Sequence, residues 1–111
     1  MPRNIEQVNE LLKRELGQII SGEIPLEDGF ITISSVKCSP DLQYAKIFVS
    51  VLPDNKTPFA LKNLRKKNSA FTRMLQKKIK LHHIPKFNWI IDESGKRADE
   101  MESLFEQIKE K

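Results

Sequence analysis

The stretch Phe30–Leu52, "FITISSVKCSPDLQYAKIFVSVL", decides the fold class. In its second half Ala45, Ile47, Val49 and Val51 alternate with Tyr44, Lys46, Phe48 and Ser50, the period of a strand with one buried face. Its first half, Phe30 to Cys38, is rich in β-formers and bounded by Gly29 and Pro40, which predicts a second strand. Between them Ser39, Pro40 and Asp41 favour a turn, because Pro presets φ and Ser or Asp bonds nearby backbone. The pattern predicts an antiparallel hairpin.

Upstream, Ile5, Val8, Leu12, Leu16 and Ile19 recur at spacings of three and four, the stripe of a helix over Asn4–Ile20. Asn4 suits its N-cap, and Gly22 then Pro25 stop it. Downstream, "LPDNKTP" ends the second strand, with Thr57 as N-cap and Pro58 at the first position of a helix burying Leu61 and Leu64. Asn68 and Ser69 compete for backbone hydrogen bonds inside a helix, so two helices are expected to meet at a kink near Ser69. The second helix carries Phe71, Leu75 and Ile79 inward. "HHIPKFNWII" then sets Phe87, Trp89 and Ile91 on one side of a third strand. Ala98, Met101, Leu104, Phe105 and Ile108 predict an amphipathic C-terminal helix, an extension over 94–111. The expectation is one α+β domain spanning 1–111: a three-stranded sheet covered by helices.

Charge is distributed unevenly. Residues 1–54 carry five Lys/Arg against eight Asp/Glu, residues 55–91 ten against none, and residues 92–111 four against seven. A field of one sign over one segment attracts polyanions, at the cost of self-repulsion in the free protein. The plainer reading is a solvated helix face, but such faces usually mix signs. At 100° per residue Arg73, Lys77 and Lys80 share a helix face opposite Phe71 and Leu75. Lys62, Arg65, Lys66 and Lys67 approach the kink from the other side, where the second helix's free N–H groups suit phosphate.

No run of apolar residues approaches the roughly 20 needed to span a bilayer, and no signal-peptide order is present, so a cytoplasmic protein without membrane contact is expected. Cys38 stands alone and reads as a small, buried apolar residue. His82 and His83 invite a metal, but residues 55–91 contain no Cys, Asp or Glu to complete a site of about three or four ligands. Neither a metal nor a cofactor is expected, and His83 is assigned to phosphate or base contact. Trp89, Phe87 and Phe48 are candidate stacking platforms for unpaired bases. A small sheet needs aromatics to fill its core, which assigns Phe87 and Trp89 to packing. Ser39 lacks the glycines of a nucleophile elbow and "DESGKR" those of a P-loop, so the chain is read as non-catalytic.

Together Asp28–Leu52, the basic helix around Arg73 and "PKFNWIIDES" at Pro85–Ser94 resemble the bacterial ribosome-binding factor A family over almost the entire chain. The Ser39-Pro40-Asp41-Leu42 turn, the Ala45–Ser50 strand and Asp92 with Ser94 carry the resemblance most. It implies a type II KH-like fold, α-β-β-α-kink-α-β. It also implies a monomer that binds 16S rRNA on free or precursor 30S subunits rather than mature 70S ribosomes, aids late rRNA maturation and supports growth in the cold. The family's kink has the pattern Ala-x-Gly; counted back from Pro85 it falls on Lys67, Asn68 and Ser69, where neither Ala nor Gly is present. The resemblance makes the acid-free segment the rRNA-facing surface, with Lys62, Arg65, Lys66, Lys67, Arg73, Lys77 and Lys80 on phosphates and Asn68 and Ser69 offering backbone N–H groups. A permanent small-subunit ribosomal protein and an RNA-processing enzyme are the alternatives.

Overall fold

The computed structural model describes residues 4–24, 29–81 and 83–93. Helix α1 spans Ile5–Glu23, and strands β1 (Phe30–Cys38) and β2 (Tyr44–Leu52) form the hairpin. A single 3₁₀ turn at Asp54–Lys56 leads into α2 (Thr57–Lys66), then α3 (Asn68–Lys78) and β3 (Lys86–Ile91). The expected C-terminal helix over 94–111 and His82 lie outside the described residues.

The sheet order is β1-β2-β3, with β1 antiparallel and β3 parallel to β2. The antiparallel pair needs only a turn; the parallel one needs a crossover, which α2 and α3 supply. In the hairpin turn the Ser39 N–H donates to the Tyr44 carbonyl at 2.8 Å, and the Asp41 carboxylate accepts from the Ser39 hydroxyl at 2.6 Å and the Gln43 N–H at 3.1 Å. The Ser39 hydroxyl, then the Gln43 amide, hold the Asp41 carboxyl below its ordinary range. Leu42 closes the turn at φ 59°, a left-handed conformation uncommon outside glycine.

Alternation along β2 buries Ala45, Ile47, Val49 and Val51. Register places Ile33 and Val36 of β1 and Trp89 of β3 on the same side, separated on β1 by a bulge between Ile33 and Ser35. Onto this side pack Val8, Leu12, Leu16 and Ile20 of α1, Leu64 of α2, and Phe71 and Leu75 of α3, all buried in one cluster. Among the described residues, the sheet's other side carries no helix.

Asn4 caps α1 as expected, accepting from the Gln7 N–H at 2.8 Å. The helix runs past Ile20 through Gly22 to Glu23, and the Ile24 N–H closes it on the Ile20 carbonyl. At α2 the cap differs from expectation: Lys56 is the N-cap, with no capping side-chain bond, and Thr57 is already helical. The break between α2 and α3 lies at Lys67 (φ −94°, ψ 8°) rather than Ser69, and no positive φ is used. Half-buried Cys38 donates its N–H to the Asn9 side chain at 2.9 Å, and burial pushes its thiol up.

Candidate nucleic-acid interface

Helices α2 and α3 each divide into a buried and a charged side. On α2, Ala60 and Leu64 are buried while Lys62, Arg65 and Lys66 are exposed. On α3, Phe71 and Leu75 are buried while Ser69, Arg73 and Lys77 are exposed. Neither helix has an acid in its first turn, and each has two bases in its last, where they complement the negative end of the dipole. Part of this charge therefore has a helix-stabilising role.

Lys80 departs from the expected stripe. The Ile79 N–H closes α3 on the Leu75 carbonyl, and Ile79 turns extended (φ −125°, ψ 149°) to bury its side chain. Lys80 is exposed but off the helix, so the angle that aligned it with Arg73 and Lys77 does not apply. His83 is exposed in the segment leading to β3.

Two predicted contacts have other engagements. The Lys67 ammonium donates to the Glu23 carbonyl at 2.8 Å and pairs with the Glu23 carboxylate at 3.5 Å, tying the α2–α3 junction to the end of α1. Asn68 is half-buried, and its side-chain oxygen accepts from the Trp89 indole N–H at 3.0 Å. The Asn68 side chain is therefore no helix cap; it anchors the start of α3 to β3. Trp89 is 5% exposed, with its ring edge-on to Phe71 and Phe87 at 5.9 and 5.8 Å. Trp89 and Phe87 thus pack inward, whereas Phe48 lies on the opposite side of the sheet.

Six cations remain: Lys62, Arg65, Lys66, Arg73, Lys77 and Lys80. All are exposed, and among the described residues none forms an ion pair. Lys78, also on α3, lies 3.9 Å from Glu15 on α1. Lys62 and Arg65 also rim an open groove of about 1050 Å³ floored by Val51, Leu61 and Ile91, with Asp54 and Asp92 along it. Nothing local in the sequence announces this groove, which forms only where β2, α2 and the end of β3 meet. Among the described residues, no three His, Cys, Asp or Glu side chains gather as metal ligands, and no helix is long and apolar enough to cross a membrane.

A family profile described as ribosome-binding factor A matches residues 4–105. The chain is 32% identical to ribosome-binding factor A of Natranaerobius thermophilus over 93% of its own length and 80% of that protein's. For the Brevibacillus brevis protein of the same name the figures are 34%, 94% and 88%. Among solved structures it resembles the crystal structure of ribosome-binding factor A from Thermus thermophilus, with a TM-score of 0.68, 20% identity, and coverage of 79% of this chain and 94% of that one. A homology model of the Thermus thermophilus factor, as fitted into the cryo-EM map of a 30S complex, gives a TM-score of 0.63 at 21% identity, covering 77% of this chain and 91% of that one. At such identities the structural likeness shows the fold, the KH-like α+β arrangement that the resemblance implies.

Proposed function

This chain belongs to the ribosome-binding factor A family, and on that premise we propose that it is a non-catalytic RNA-binding factor, acting as a monomer, one domain over 1–111, in the cytoplasm. It associates with free or precursor 30S subunits through 16S rRNA, and it promotes late rRNA maturation, most needed in the cold. The family's name and the 30S complex of the Thermus thermophilus relative support the partner. The observation that carries the reading is the set of six exposed cations on and around α2 and α3, without an ion pair among the described residues. Such charges hold phosphates and displace their counterions. Ser69, exposed in the first turn of α3, and His83 complete the proposed contacts; Lys67 and Asn68 shape the junction between the helices.

The test reverses Arg73, Lys77 and Lys80 to Glu together. All three are exposed, and exposed substitutions usually change stability by no more than about 0.5 kcal/mol each, so the fold should persist. Co-sedimentation with 30S subunits should fall steeply, and cells carrying only this variant should accumulate 16S precursor in the cold. The control, Lys13→Glu with Arg14→Glu on α1, should matter less. A folded stripe variant that still co-sediments as the unaltered chain does would place the binding face elsewhere.

A further inference from the structure

The side of the sheet opposite the helices has its own chemistry, visible only once the register is known. Tyr44, Lys46 and Phe48 alternate outward along β2. Pairing sets Lys37 of β1 directly opposite Lys46, and on β3 it sets Lys86 beside Tyr44 and Asn88 beside Lys46. Lysines far apart in the chain thereby surround two aromatic rings. Tyr44 is 59% exposed, and the Lys37 ammonium stands 5.7 Å from the centre of the half-buried Phe48 ring.

Like charges directly opposed across a strand pair destabilise it, yet Lys37 faces Lys46 with no acid between them. Asn88 occupies the position on β3 where a carboxylate would neutralise the pair. Among the described residues, Lys37, Lys46 and Lys86 form no ion pair. The two rings lie four residues apart on one strand, about 13 Å, with a cation between them.

We propose that this face is a second nucleic-acid surface, which takes unpaired nucleotides: bases stack on Tyr44 and Phe48 while Lys37, Lys46 and Lys86 hold phosphates. Paired bases present only their edges to a protein, whereas splayed bases offer the faces that flat rings stack on. The cations select a polyanion over an apolar partner, whose docking would bury three unpaired ammonium groups. The proposal rests on the reading that the chain binds RNA, but names a surface on the opposite side of the sheet from α3.

Tyr44 is the chain's one tyrosine, so its nitration reports on this face alone. In the full chain nitration should be fast, and saturating single-stranded oligouridylate should suppress it. Photocrosslinking with oligouridylate carrying 4-thiouridine should label the peptide containing Tyr44 and Phe48. Replacing each ring (Tyr44→Leu, Phe48→Leu) keeps apolar bulk on the strand and should weaken oligouridylate binding about fivefold or more per ring, leaving duplex RNA binding unchanged. Trp89 fluorescence, from behind the sheet, verifies the fold of each variant. Slow nitration without RNA would mean that the chain itself or another copy covers the face, and overturns the proposal. So would unchanged affinity of the double Leu variant, or a polyglutamate peptide competing as well as oligouridylate. If the Leu variants bind oligouridylate normally while the helix-stripe variant loses 30S subunits, this surface fails and the proposed function stands. The reverse pattern rejects the helix stripe and keeps the sheet.

Discussion

Residue 68 shows how a side chain's role follows from what it reaches. From its neighbours alone, Asn68 is a helix breaker or cap; in the fold its oxygen satisfies the indole N–H of Trp89, 21 positions away. That partner is invisible to any local window, which is why local propensity sets the kink two residues late. Asn68→Ala should leave a buried N–H unpaired and cost about 1–2 kcal/mol, whereas Trp89→Ala should cost about 3–5 kcal/mol by emptying the core between Phe71 and Phe87. Urea unfolding checks both, and a Trp89→Ala chain as stable as the original would remove Trp89 from the core. The inward assignment of Trp89 and Phe87 is legible from size and alternation, as is the outward side of Phe48; that lysines of β1 and β3 flank that side requires the register.

At the scale of elements, period-two and period-3.6 patterns locate α1, the hairpin and β3, because each of these buries one face of a regular element. Boundaries are less legible where tertiary contacts overrule propensity. Glycine does not stop α1 at position 22, and burial of Ile79 ends α3 before Lys80. Gly29 shows the same dependence on distant chain. A Cβ there would overlap the Leu52 carbonyl oxygen and stand 3.0 Å from the Pro53 ring, because the start of β1 passes tight against the end of β2. Gly29→Ala should therefore force the strands apart and destabilise by about 1–3 kcal/mol. The measurement is a urea midpoint, accompanied by faster amide exchange at the Phe30–Leu52 end of the hairpin. An unchanged midpoint would show that this end yields without cost.

For the whole molecule, the charge imbalance is the most legible functional signal, since counting alone finds it. What counting cannot supply is availability: Lys67 and Lys78 reach carboxylates on α1, while Lys62, Arg65, Lys66, Arg73, Lys77 and Lys80 form no ion pair among the described residues. Contacts from roughly four to six such groups predict that log K for structured RNA falls against log salt with a slope of about −3 to −5. Filter binding over a range of potassium chloride measures it, and a flat dependence would remove phosphate contacts as the basis of affinity.

The clasp between Lys67 and the end of α1 also gives the lysines of this segment a built-in reference for covalent footprinting. An amine held at 2.8 Å from a carbonyl and 3.5 Å from a carboxylate should acylate slowly, so Lys67 should lag behind Lys62, Lys66, Lys77 and Lys80 in a timed reaction with an N-hydroxysuccinimide ester. When a 30S subunit occupies the outer lysines, their labelling should drop toward or below that of Lys67, whose rate should stay constant. The ratio of each lysine to Lys67, read from one digest, then ranks contacts without a separate normalisation.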